Sequence, residues 1–178
     1  DFQIKSAKVV PVGALVLNMH ASEIPAANYW QKVIAQEALK ALGPRDYCGL
    51  VFFGGSDQWL WNMAQGGMLR VGPNRSMMLK KIDTMSIGDM PNFDPSMKKA
   101  VLGLNGLPAN EVSAKHMIMA SDGDPGAPSA STINAIKQAG ITVTTVAVGA
   151  HGPAGSATLQ NIATATGGKY YVVNNNMA

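Results

Sequence analysis

One cysteine, Cys48, stands in 178 residues, so no disulfide within the chain is available to hold it together. Cys48 sits in the apolar run Tyr47-Cys-Gly-Leu-Val-Phe-Phe53, where a thiol is expected to be buried and inert. Aromatic residues make up only 6% and charged residues only 14%. Lys and Arg exceed Asp and Glu by only 14 to 11, too mild a balance for nucleic-acid binding by charge. Arg70, Arg75, Lys80 and Lys81 come nearest to a basic cluster, without an aromatic or Gly-rich companion, and read as a solvated helix face. No apolar stretch has the length of a membrane span, and no signal-peptide pattern opens the chain. The chain begins at Asp1 rather than Met, as expected of a domain cut from a longer protein or of a processed one. The catalytic signatures are missing too. Gly54-Gly-Ser-Asp57 is not a Gly-x-Ser-x-Gly elbow, and the turn after the first strand lacks dinucleotide-binding glycines. No phosphate loop is present, and nothing sets a nucleophile beside a base, so an enzyme ranks last among the readings.

What is present is apolar and regularly punctuated. Hydrophobic residues amount to 47%, enough for one domain over residues 1–178 with a real core. Strand character is expected at residues 9–19, 46–53, 58–63, 116–120, 141–148 and 169–173. Helical spacing is expected at 28–42, 75–85, 95–104, 130–139 and 158–165, with 66–74 and 86–92 as loops. The alternation implies an α/β fold: a Rossmann-like, doubly wound, mostly parallel sheet of about six strands with helices on both faces. Right-handed crossovers then set the strand at 9–19 beside the strand at 116–120, where strand order reverses. Ligands of such sheets bind in the crevice beyond the carboxyl ends of the strands at that point. Asn18-Met19-His20-Ala21-Ser22, Ser121-Asp122-Gly123-Asp124 and the loop after Val148 all open there.

The strand ending in Ser-Asp122-Gly-Asp, the strand Ile141-Thr-Val-Thr-Thr-Val-Ala-Val-Gly149 and the ending Ile162-Ala-Thr-Ala-Thr-Gly-Gly-Lys-Tyr-Tyr171 resemble the von Willebrand factor type A domain. The resemblance covers nearly the whole chain and is strongest from Lys115 onward. It implies a protein-binding role rather than catalysis. It also implies a divalent cation held by an Asp-x-Ser-x-Ser turn, a Thr from a second loop and an Asp after the fourth strand. Matched residue by residue, the leading Asp is here Asn18, the first Ser is His20, and the second remains Ser22. The Thr falls on Pro91, and the last Asp remains Asp122. Mg²⁺ takes about six oxygen ligands, and two of five positions keep one of the expected kind. The Mg²⁺ site is therefore expected to be lost, with no metal and no cofactor, although Asp89 or Asp124 is placed to move in.

His20 carries a sharper expectation. Within reach of Asp122, a protonated imidazole can occupy the cation's place, since an uncompensated carboxylate in a crowded crevice is costly. The plainer alternative has His20 in solvent and Asp122 capping the next turn. A third alternative joins His20, His151 and Asp122 around Zn²⁺; His116 lies at the wrong end of its strand to join them. The resulting expectation is a scaffold module that binds a protein partner, with no nucleic acid and no membrane span. Its partner surface is assigned to Asn18, His20, Ser22, Met90, Pro91, Asp122 and Asp124 on a rim formed by residues 18–22, 88–92, 122–125 and 151–153. A purely structural domain with no ligand at the crevice is the alternative, as is a metal-dependent adhesion domain with a non-standard ligand set. Away from the crevice, Trp59 and Trp61 are expected to share one face of the third strand. Met77, Met78 and Met85 are expected to fill core, while Met90 borders the crevice.

Overall fold

Residues 11–149 and 152–173 are described by a computed structural model of the chain. The apolar run at the start forms strand β1 (Val12–Met19), and Pro25 opens helix α1 (Pro25–Ala41) from its first turn, where its missing N–H costs nothing. Strand β2 (Tyr47–Phe53) follows, then two short strands, β3 (Asp57–Trp59) and β4 (Leu69–Arg70). Helices α2 (Val71–Asp83) and α3 (Phe93–Asn105) lead to the long strand β5 (Val112–Ser121). Helix α4 (Ala130–Gln138), strand β6 (Ile141–Val148), helix α5 (Gly152–Thr166) and strand β7 (Tyr170–Val173) complete the order.

The sheet runs β3-β2-β1-β5-β6-β7, with β4 paired to β2 beside β3. The pairs β1–β2, β1–β5, β5–β6 and β6–β7 are parallel, and β3 and β4 run antiparallel to β2. Chain order moves outward from β1 to β3, then resumes on the other side of β1 at β5. The switch point therefore lies between β1 and β5, and the crevice opens beyond Met19 and Ser121.

Both faces of β1 are apolar because both are covered. Ala14 and Val16 pack with Phe93, Met97 and Leu104 of α3, Ile136 of α4 and Leu159 of α5. Leu15, Leu17 and Met19 pack with Ala35 and Leu39 of α1 and Met78 and Ile82 of α2. A strand buried on two sides reads as a continuous apolar run, which is how this one reads.

Two expectations are corrected. The third strand ends at Trp59, so Trp61 leaves the ladder and the two indoles lie on opposite faces. Trp59 fills the α3 side, where a Cβ on Gly49, Gly67 or Gly103 would run into its ring. Trp61 fills the other side and donates its Nε1–H to the Cys48 carbonyl at 3.1 Å. The basic cluster is also more than a solvated face. Arg75 donates to the Leu39 and Leu42 carbonyls at 2.8 and 2.6 Å, closing the end of α1. Arg70 lies over the Tyr47 ring and pairs with Glu111 at 2.8 Å. The Cys48 thiol is buried, and burial pushes its pKa far up.

Candidate functional site

Three loops meet beyond the carboxyl ends of β1 and β5, and backbone hydrogen bonds stitch them together. The β1–β5 pairing continues one step past β1, His20 N–H donating to the Ala120 carbonyl at 3.1 Å, which sets His20 beside Ser121 and Asp122. Ala21 adopts a left-handed φ of 64°, rare for a residue with a Cβ. Its N–H donates to Gln31 Oε1 at 2.9 Å, and its carbonyl accepts from Asn28 Nδ2 at 2.9 Å and Gly88 N–H at 3.0 Å. Helix α1 thus holds the first loop and draws the 84–92 loop against it. The third loop joins through Gly126 N–H on the Pro91 carbonyl and Phe93 N–H on the Gly126 carbonyl, both at 3.0 Å. Gly123, at φ 85°, lets this loop lie directly on Gly155 of α5; a Cβ on either would strike the other's backbone.

His20 and Asp122 meet at the centre of these loops. His20 Nδ1 is 3.0 Å from Asp122 Oδ1, and both side chains are 0% exposed. The same nitrogen is 2.9 Å from Ser121 Oγ, which accepts from Gly123 N–H at 3.0 Å. His20 Nε2 points the other way, 3.4 Å from Oδ1 of Asp89, whose side chain is 61% exposed. Ser22 Oγ donates to Asp122 Oδ2 at 3.2 Å, and Asp124 N–H donates to Asp122 Oδ1 at 3.0 Å. Burial alone lowers the His20 pKa, but the hydrogen bond and charge of Asp122, then those of Asp89, outweigh it and raise it above the usual value. Burial raises Asp122 in the same way, and the His20 hydrogen bond, the Asp124 N–H and the His20 charge outweigh it and lower it. Each shift favours the charged form of its group, as expected of two buried groups in contact.

The seven predicted residues separate into a buried layer and a rim. His20, Ser22 and Asp122 come together as expected but are buried beneath the surface. The expected rim position of Asn18 is corrected: its amide turns inward, Nδ2 donating to Ser96 Oγ at 3.1 Å with Met117 Sδ at 3.8 Å. Met90 is corrected likewise. It lies in the α3-side core, 1% exposed, with Ser96 Oγ at 3.6 Å from its sulfur. Of the seven, Pro91 and Asp124 alone are exposed. Two rim residues belong beside them: Asp89, which the sequence suggested only as a replacement ligand, and Glu23, which sequence reasoning missed. Carboxylate oxygens of Glu23, Asp89 and Asp124 all lie within 4.8 Å of one another. Ligating atoms of His20, Glu23 and Asp122 do so too. Ser121 was missed as a partner of the imidazole, although it stands next to Asp122 in the chain. His151, named for a zinc site, lies outside the described residues. His116, expected at the far end of its strand, sits midway along β5, bonded to Thr142.

The donor set does not fit the Mg²⁺ ion that the resemblance implies. Pro91 has no side-chain donor, and the Asn18 amide is committed inward. Ser22 and Asp122, the two expected ligands that remain, bond to each other, and Asp122 is bonded to the imidazole as well.

The family model for the von Willebrand factor type A domain matches residues 31–178. No curated protein matches the chain by sequence. Among solved structures, a von Willebrand factor type A protein from Catenulispora acidiphila aligns with a TM-score of 0.78 at 16% identity, over 93% of this chain and 39% of that one. The manganese-loaded TRAP protein of Plasmodium vivax aligns at 0.60 and 16% identity, over 86% and 63%. The pilus adhesin SpaC of Lactobacillus rhamnosus GG aligns at 0.65 and 14%, over 93% and 28%. The chain thus spans about two fifths of the length of the first of these structures.

Proposed function

The chain belongs to the von Willebrand factor type A domain family, and on that premise we propose that it is a non-catalytic module that binds a protein partner at the crevice rim without Mg²⁺. One observation carries the metal-free part: the imidazole of His20 is bonded to Asp122 at 3.0 Å, on the carboxylate that a cation would need. The described residues hold no helix long and apolar enough to cross a membrane. One of the similar structures is named as a pilus adhesin, which supports adhesion as the general role.

The rim also suggests the partner's chemistry. Glu23, Asp89 and Asp124 face outward, and no Lys or Arg lies among residues 18–24, 86–92 or 121–127. His20 balances Asp122 below, so the carboxylates above are left to attract a partner's Lys or Arg. Beside them a cleft of about 240 Å³, lined by Asp124, Pro125, Gly126 and Thr158 among others, has room for an adjoining side chain.

A displayed peptide library selected on the immobilised domain in chelator tests this reading. Enriched peptides should carry Lys or Arg and lose about tenfold in affinity for the Asp89→Lys/Asp124→Lys variant, whose melting temperature should match wild type. Binding that requires Mg²⁺, or that ignores the rim reversal, would overturn it.

A further inference from the structure

We propose that His20 is a built-in cation, its charged imidazole seated where a divalent ion would sit among the carboxylates of Glu23, Asp89 and Asp122. This deepens the metal-free reading of the crevice and rests on it. The argument starts from charge. Asp122 and Asp89 approach the ring at 3.0 and 3.4 Å, a Glu23 oxygen lies within 4.8 Å of its ligating nitrogen, and residues 18–24, 86–92 and 121–127 contain no Lys or Arg. Buried Asp122, at 0% exposure, needs a positive partner, and the ring at 3.0 Å is that partner.

Size points the same way. Opposite oxygens in a coordination shell lie about 4.2 Å apart around Mg²⁺ and about 4.8 Å apart around Ca²⁺, twice the metal–oxygen distance. The ligating atoms of Glu23, Asp89 and Asp124 fall within 4.8 Å of one another, as do those of His20, Glu23 and Asp122. Glu23 belongs to both groups, so the cage is continuous from the buried carboxylate to the rim. All its members but the imidazole are hard oxygen donors. Removing the ring would leave oxygen donors close enough together to hold an ion, with no Lys or Arg on residues 18–24, 86–92 or 121–127 to replace its charge. The charge of the buried carboxylate is therefore met by a side chain of this chain rather than by an ion.

Cation rescue tests this directly. His20→Ser should melt several degrees below wild type in chelator and recover at least half of that loss in millimolar Mn²⁺ or Ca²⁺. Wild type should show no divalent-dependent shift, and His20→Ser/Asp122→Asn should not be rescued. A folded His20→Ser that ignores divalent ions, a rescue that survives the loss of Asp122, or a wild-type shift with Mn²⁺ would each overturn the proposal. Should His20→Ser fail to fold, ¹⁵N NMR of wild type decides. Both ring nitrogens of His20 should carry protons at pH 6, and a neutral ring there refutes the idea. These measurements contain no partner, so a failure of peptide binding with rescue intact would sink the docking reading alone.

Discussion

At the scale of single residues, His20 and Asp122 form a pair whose stability contribution has a defined pH window. The folded pKa of His20 is raised above 6.5, so its contribution is complete below 6.5 and is lost as pH rises through the raised value. The folded pKa of Asp122 is lowered below 3.8, so its contribution is complete above 3.8 and is lost as pH falls through the lowered value. The pair therefore stabilises fully between 3.8 and 6.5 and weakens on the alkaline side. Melting temperature between pH 5 and 9 should fall as His20 deprotonates, and Asp122→Asn should flatten that fall. Removing one member of a buried pair costs about 3 kcal/mol or more, so urea unfolding of Asp122→Asn at pH 6 should show a loss of that size. Asp122→Asn should also bring the His20 pKa below 6.5, because burial then acts with only Asp89 opposing it. An unchanged His20 titration in that variant would dissolve the pair.

At the scale of elements, helix α4 is tied to helix α3 through one carboxylate. Asp94 Oδ1 accepts from Ser129 N–H and Ser129 Oγ, both at 2.8 Å, and from Thr132 Oγ1 at 2.7 Å, while Oδ2 pairs with Lys98 at 2.8 Å. Lys98 first, then Thr132, hold its pKa far below the usual carboxylate range despite some opposing burial. Since Ser129 is also the N-cap of α4, Asp94→Ala should cost about 1–2 kcal/mol, the range for a lost cap and its hydrogen bonds. Hydrogen exchange should quicken in α4 while the His20 titration stays put; uniform loosening of the sheet would contradict a local tie. Elements of this kind were unevenly legible in the sequence. The strand at Ile141–Val148 was expected with its observed bounds, because its apolar positions and flanking turns agree. Helix α2 begins at Val71, earlier than expected, because Gly72 and Pro73 read as loop yet suit a first turn whose N–H groups are free anyway. Gly152 and Pro153 hid the start of α5 in the same way. The nearness of His20 to Asp122 followed from strand order, which sequence periodicity reveals. The burial of Met90 and the inward turn of Asn18 depend on side-chain packing by α3, which periodicity does not carry.

For the whole molecule, the informative quantity is the distribution of charge rather than its sum. The formal net charge is +3, yet the crevice rim shows Glu23, Asp89 and Asp124 with no Lys or Arg on residues 18–24, 86–92 or 121–127. Exposed cations stand elsewhere, such as Lys80 and Lys81 on α2. Such an uneven field steers a basic partner toward the rim over roughly a Debye length, about 10 Å at 0.1 M salt and about 3 Å at 1 M. Rim charges act mainly on encounter, so salt should slow association far more than it hastens dissociation. Association of a Lys- or Arg-bearing peptide should fall about tenfold between 0.05 and 0.5 M NaCl, read by stopped-flow or surface plasmon resonance. The domain's own melting temperature should barely move over the same range, because the His20–Asp122 pair is 0% exposed and little screened. The two measurements separate the layers of the site. A salt-sensitive melt would place the decisive charges at the surface rather than in the buried pair. A salt-insensitive association rate would mean that the acidic rim does not guide the partner, leaving contact chemistry in the cleft beside Asp124 as the source of affinity.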